Sequence, residues 1–332
     1  MIISRTPFRI SFFGGGTDYP AWYEEHGGAV LSTTIDKYSY ISCRYLPPFF
    51  KYKNLIRYYI REETGSIVDI KHPSVRECLN YLNIKKGIEM SHTGDVPARS
   101  GIGSSSAFTV GFLNSLYALE GKIVDKKKLA LDAIHVEQNL IKENVGSQDQ
   151  TVAAFGGFNK IEFGGPEKIC VRPITISEEK LNFLQDHLLF FFTGLSRDAS
   201  EIAKEQIKKT PSKRKELTVM RDQVDEAVKI LNGKLENIKD FGKLLNEAWK
   251  LKRSLTNLIS NSTIDKIYET AIKEGALGGK LCGAGGGGFI LFFAEPEVQP
   301  QIKEKLKDFL HVPFRFEALG SQIIFNAPQK IN

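Results

Sequence analysis

Residues 97–106 read Pro97-Ala98-Arg99-Ser100-Gly101-Ile102-Gly103-Ser104-Ser105-Ser106 and run straight into Ala107, Phe108, Val110, Phe112, Leu113, Leu116 and Leu119. The apolar run from Ser104 to Leu119 is too long for one strand and is stopped by Gly121, so it predicts a buried helix. A glycine-serine loop opening a buried helix is a natural anion site. The first-turn amides lack partners, the helix dipole is positive there, and glycines let phosphate oxygens approach the backbone. One serine would suffice to cap the helix; the others offer hydroxyl donors and a possible ligand for Mg²⁺. The loop has neither the Gly-Lys-Ser/Thr of a Walker A motif nor the spacing of G-x-G-x-x-G. Alone, it leaves phosphate binding and simple capping both open.

Upstream, β-like runs cover Ile2 to Ile10, Ala29 to Ile35 and Tyr38 to Tyr45, broken by Gly14-Gly15-Gly16 and Gly27-Gly28. Downstream, a helix is expected from about Lys126 to Glu143 with Asp125 as N-cap, carrying Ala130, Ala133, Ile134, Leu140 and Ile141 at helical spacing. The second half alternates. A β-like run covers His187 to Phe192, and a helical face joins Leu217, Met220, Val224, Val228 and Leu231. Helices follow near Phe241 to Leu255 and Thr263 to Glu274, then a glycine loop, the run Phe289 to Phe293, a helix near Val298 to Leu310 and a strand near Phe314 to Leu319. Helices interleaved with antiparallel-compatible strands indicate an α+β fold. The Gly and Pro cluster around residues 165–185 suggests two parts, residues 1–175 and 176–332.

Composition narrows the function. The chain has 332 residues, 42% hydrophobic and 25% charged, with no apolar run of the length a membrane span needs. The opening Met1-Ile2-Ile3-Ser4-Arg5 lacks the features of a signal peptide, which suggests a cytoplasmic protein. Four scattered cysteines, Cys43, Cys78, Cys170 and Cys282, suggest neither a zinc site nor a disulfide framework. The net charge of +6 suits an anionic ligand, but Lys126-Lys127-Lys128 and Lys213-Arg214-Lys215 lack the interleaved aromatics of a nucleic-acid face.

The phosphate-loop candidate resembles the second motif of the GHMP kinases, the family that includes galactokinase, homoserine kinase, mevalonate kinase and phosphomevalonate kinase. Two further family motifs flank it. Arg5-Thr6-Pro7-Phe8-Arg9-Ile10-Ser11-Phe12-Phe13-Gly14-Gly15-Gly16-Thr17-Asp18-Tyr19 is similar to the first, and Lys280-Leu281-Cys282-Gly283-Ala284-Gly285-Gly286-Gly287-Gly288-Phe289 to the third. The resemblance implies a ribosomal-S5-like N-terminal half, a ferredoxin-like C-terminal half, ATP as phosphate donor and Mg²⁺ as its metal. It also implies that Pro97, Gly101, Ile102, Gly103, Ser104, Ser105 and Ser106 cradle the ATP phosphates.

Glu137 falls on the apolar face of its helix, where an unpaired carboxylate is costly. By pattern it could border the stripe or pair with a basic residue; the resemblance implies a Mg²⁺ ligand, with Ser105 beside it. Asp149 precedes a short helix and could simply cap it, but the resemblance makes it the candidate base. That role exists in galactokinase and mevalonate kinase and is missing from homoserine kinase. Arg9 could be an edge-strand surface arginine; by resemblance it lies near the catalytic aspartate, where a cation would keep Asp149 ionised.

Asp18, with Gly15, Gly16 and Thr17, resembles the segment with which galactokinase-like enzymes grip ring hydroxyls. The first motif, with Leu31-Ser32-Thr33-Thr34-Ile35-Asp36-Lys37-Tyr38, is similar to heptose 7-phosphate kinases and the fucokinase branch, which implies an anomeric hydroxyl as acceptor. A sugar phosphate would need a further cation, and Arg197 is the candidate, against the alternative of a solvent-facing arginine. Lys280, Gly286 and Gly287 are expected between substrate and triphosphate. A kinase for free fucose or another small alcohol, and a non-catalytic sugar or nucleotide sensor, are the competing readings.

Overall fold

A computed structural model describes residues 1–164, 168–195 and 199–327. The predicted N-terminal sheet forms around two long strands. Ile2–Phe13 pairs antiparallel along most of its length with Gly28–Tyr45, and the two runs expected at 29–35 and 38–45 are one continuous strand of 18 residues. The pairing register shifts between Pro7 and Phe8, opposite the stretch between Ile35 and Tyr38. Ile88–Gly94 and the hairpin Asn54–Arg57/Arg61–Thr64 extend one side of the sheet, and Phe158–Phe163 with Ile169–Pro173 pairs with the other end of Gly28–Tyr45.

The helix Ser104–Leu119 lies on this sheet with nearly its whole circumference buried, as its continuous apolar run requires. Gly111 allows the close approach, since a Cβ there would sit 2.7 Å from the Thr6 hydroxyl. The helix expected to reach Glu143 instead runs from Lys126 to His135 and continues as a π-helical turn, Val136–Ile141, ending at Lys142 with φ 61°. Asp125 caps it as expected, accepting from the Lys128 amide at 2.8 Å.

The second sheet is antiparallel, in the order Leu310–His311, Leu188–Phe192, Phe289–Phe293, Gly278–Leu281. The helices Lys239–Leu255 and Ser262–Lys273 pack on it; Arg214–Asn232 packs between Lys239–Leu255 and the first sheet, which Lys239–Leu255 also reaches through Phe241, edge-on to Phe12 and Phe13. The last strands return to the first sheet: Phe316–Glu317 pairs with Thr34 and Ile35, and Gln322–Asn326 flanks Ile2–Arg5. A division at residue 175 therefore separates the chain in sequence while its end rejoins its beginning in space.

Candidate active site

The three glycine-bearing segments converge on one cleft enclosing about 450 Å³. The strand Ile2–Phe13 supplies Arg9, whose side chain is almost wholly buried. Its Nε and Nη2 each donate at 2.9 Å to the two oxygens of Asp149, and Nη1 donates to Gly101 O at 2.8 Å. One guanidinium thus locks the candidate base to the phosphate loop. Burial acts to lower the Arg9 pKa, but the Asp149 charge and hydrogen bonds outweigh it and hold it above its ordinary value. The Gln148 side chain accepts from Ser11 Oγ at 2.7 Å and donates to Asp149 Oδ1 at 3.1 Å, fixing the carboxylate from a third direction.

Gly101 and Gly103 are left-handed, with φ 79° and 76°, which turns the loop so that the helix begins at Ser104. Ser104, Ser105 and Ser106 all line the cleft at this helix N-terminus, together with Gly101 and Gly103. Pro97 and Ile102 do not. Pro97 is exposed, and Ile102 turns into the core while its carbonyl accepts the Arg9 amide at 3.1 Å.

Glu137 is fully buried behind the loop and is not on the cleft wall. Ser106 donates to its Oε2 at 2.8 Å, and the Gln150 amide donates to the same oxygen; Oε1 has no hydrogen-bond partner. Burial, reinforced by the charge of Glu143, pushes the carboxyl up to about 7. An orphaned, desolvated carboxylate oxygen next to a candidate phosphate site fits a divalent cation. Among the described residues no cluster of three or more His, Cys, Asp or Glu side chains could hold a metal alone. Mg²⁺ characteristically takes one or two carboxylates and completes its shell with phosphate and water oxygens. Ser106, rather than Ser105, is the serine that touches Glu137.

Asp18 is buried at the cleft wall, its Oδ1 accepting the Gly16 amide at 2.8 Å, with Gly15 and Gly16 beside it. Burial raises its pKa against the opposing Gly16 hydrogen bond. Thr17 serves the turn instead: its hydroxyl shares its one hydrogen between Gly14 O and Ala29 O, at 2.8 and 2.9 Å, away from the cleft. Lys280 is buried and lines the cleft, donating to Phe12 O at 3.0 Å, and burial pushes it down to about 7.

The third glycine loop is pressed against the phosphate loop. A Cβ on Gly288 would lie 2.2 Å from Ser100 O, and one on Gly283 would lie 2.7 Å from Gly101 O. Gly287 also faces the cleft. Gly286 does not; its amide donates to Ile259 O at 2.8 Å. Arg197 lies outside the described residues. Sequence reading missed Lys252 and Gly146. Lys252 was signalled by its place on an apolar helix face. Gly146 gave no signal: only the fold shows that a Cβ there would lie 1.9 Å from Asp18 Oδ2.

A glycine-serine helix terminus, a carboxylate locked by arginine and a second buried carboxylate in one cleft is an arrangement suited to a small-molecule phosphotransferase. The family descriptions "GHMP kinases N terminal domain" and "GHMP kinases C terminal" match residues 70–157 and 221–312. The chain belongs to the GHMP kinase family and is an ATP-dependent sugar kinase. It is 31% identical to a D-glycero-alpha-D-manno-heptose 7-phosphate kinase of Campylobacter jejuni, over 89% of this chain and 90% of that one. A galactokinase of Pyrococcus furiosus is 25% identical over 93% and 94% of the two chains. In fold, the chain is similar to a crystal structure of a D-glycero-D-manno-heptose 1-phosphate kinase from Bacteroides thetaiotaomicron. The TM-score is 0.76 at 22% identity, over 98% of this chain and all of that one. Among the described residues no helix is long and apolar enough to cross a membrane.

Proposed function

We propose that the protein transfers the γ-phosphoryl group of MgATP to the anomeric hydroxyl of a sugar phosphate, with D-glycero-D-manno-heptose 7-phosphate as the acceptor to test first. The observation that carries this reading is the bidentate Arg9–Asp149 pair tied to Gly101, which sets a carboxylate beside the phosphate loop before any ligand arrives. The similarity to the Campylobacter heptose 7-phosphate kinase supports the choice of acceptor.

In this mechanism the amides and hydroxyls at the start of Ser104–Leu119 bind the triphosphate. Glu137, with a serine of the loop, holds Mg²⁺, which when bound neutralises phosphate charge. Asp18 accepts hydrogen bonds from sugar hydroxyls, and Asp149 orients the acceptor hydroxyl and takes its proton as the phosphoryl group departs from ADP. Because Arg9 holds both oxygens of Asp149 in place, orientation contributes more than basicity. Metaphosphate-like transfer asks little of a base.

The test is ADP release from ATP with a panel of free sugars and sugar phosphates. Turnover with the heptose 7-phosphate, and a product bearing phosphate at C1, is expected. Release with free fucose and none with any heptose phosphate would overturn the acceptor assignment.

A further inference from the structure

Lys252 lines the same cleft as Asp18. It projects from the last turn of the helix Lys239–Leu255, where the helix dipole favours a cation, and it is buried. Its Nζ donates to Gly15 O at 3.2 Å and to Gln206 Oε1 at 3.1 Å. An ammonium has three hydrogens. Two are taken, and the third belongs to a group on the wall of the cleft.

Asp18 and Lys252 are buried opposite charges close enough to influence one another, yet no ion pair joins them. Desolvating two opposite charges without contact is unfavourable unless a ligand completes the arrangement. Among the described residues, the two other buried cations of the cleft are already engaged. Arg9 is committed to Asp149 and Gly101, and Lys280 is tied to the first strand through Phe12 O. An acceptor oxygen that takes the third Lys252 hydrogen while a neighbouring hydroxyl donates to Asp18 satisfies both groups. The charged groups lining the cleft are Arg9, Arg99, Lys252 and Lys280 against Asp18, Glu143 and Asp149, a balance of four basic to three acidic groups that favours an oxygen carrying negative charge.

We propose that Lys252 is an acceptor-binding, specificity-determining residue that donates to an oxygen of the sugar held by Asp18. The inference rests on the kinase reading for what occupies the cleft, and it names a residue that this reading does not need. The oxygen could belong to the acceptor's own phosphate or to a ring hydroxyl, and a matched pair of ligands separates the two sources.

The experiment is calorimetric binding, without ATP, of D-glycero-D-manno-heptose 7-phosphate and of the same heptose after phosphatase treatment, to wild type, Lys252→Met and Lys252→Arg. Steady-state KM for ATP is measured alongside. Lys252→Met should weaken binding of the phosphorylated sugar by about tenfold or more, as loss of a charged hydrogen bond does, and leave the ATP KM unchanged. Lys252→Arg, which keeps charge and bulk, should recover part of the loss, and it serves as the test if the methionine variant does not fold. If the phosphate is the contact, the wild-type preference for the phosphorylated sugar collapses in Lys252→Met; if a hydroxyl is, both sugars weaken equally. Unchanged sugar binding in a folded variant, or an ATP KM that rises by the same factor, overturns the proposal. Sugar binding that depends on Lys252 without any ADP release sinks the kinase reading and not this one. Binding of neither sugar by wild type overturns both.

Discussion

Two pairs of opposite charge share the cleft and are built in opposite ways. Arg9 and Asp149 are closed on one another, with both carboxylate oxygens bound at 2.9 Å and the third guanidinium nitrogen donating to the glycine-serine loop. Asp18 and Lys252 are open, each held by backbone or amide groups on its own side. The closed pair needs no substrate to be in order. The open pair leaves donors and acceptors unspent, as a site that reads a ligand must. Under the proposed roles, catalytic geometry is fixed in advance and discrimination is deferred until the acceptor binds.

The sharpest way to break the closed pair is Asp149→Asn, which keeps the shape and removes the charge. Turnover should fall on the order of 10²- to 10⁴-fold, with ATP binding measured by calorimetry unchanged. Unchanged turnover would remove Asp149 from the mechanism.

Glu137 takes openness further, being a buried carboxylate with one oxygen bound and one unpartnered. Glu137→Gln should weaken binding of Mg·ADP relative to metal-free ADP by roughly 10- to 100-fold. It should also alter stability. The carboxyl's folded value of about 7 exceeds its ordinary 4.5, so its favourable contribution is complete below pH 4.5 and is lost as pH rises to 7. The loss is on the order of 3 kcal/mol for that difference. Thermal melts of the metal-free protein should therefore decline between pH 5 and 7 in wild type and stay flatter in Glu137→Gln, with added Mg²⁺ restoring the wild type. Parallel melting curves would count against the buried charge.

The open pair can be disturbed without touching either charge. A Cβ at Gly146 would lie 1.9 Å from Asp18 Oδ2, so Gly146→Ala must move the carboxylate. The acceptor KM should rise about tenfold, as for one lost polar contact, with the ATP KM constant. Equal changes in both would place Asp18 on the nucleotide side instead.

The phosphate loop and its helix were legible because their signal is local: glycines and serines before an unbroken apolar run give the helix start at Ser104 directly. Arg9, Asp18 and Asp149 became readable only through motif resemblance, since the pairing of Arg9 with Asp149 links positions with no periodic relation. Lys252 carried the same signal that exposed Glu137. It lies four residues after Ala248 and three after Trp249, on the buried face of a helix, but Lys250 and Arg253 beside it make it look like one more solvated cation. The π-helical turn that ends the expected 126–143 helix early has no local spelling that periodicity can detect. The strand near Phe314 to Leu319 was expected and forms at Phe316–Glu317, but the last strand was missed for a different reason. Gln322–Asn326 finds its partner more than 300 residues away at Ile2–Arg5, and no window along the chain contains both.

That return has a consequence for how the molecule is made. The strand carrying Arg9 is made more than 300 residues before its partner Gln322–Asn326, so the edge at Ile2–Arg5 stays unpaired until residue 326 has followed. Translation at about 5–20 residues per second exposes that edge for tens of seconds. Throughout that interval the nascent chain presents the unpaired backbone edge of Ile2–Arg5, so this sheet edge is where a chaperone has most to protect and where a prematurely stopped chain would first aggregate.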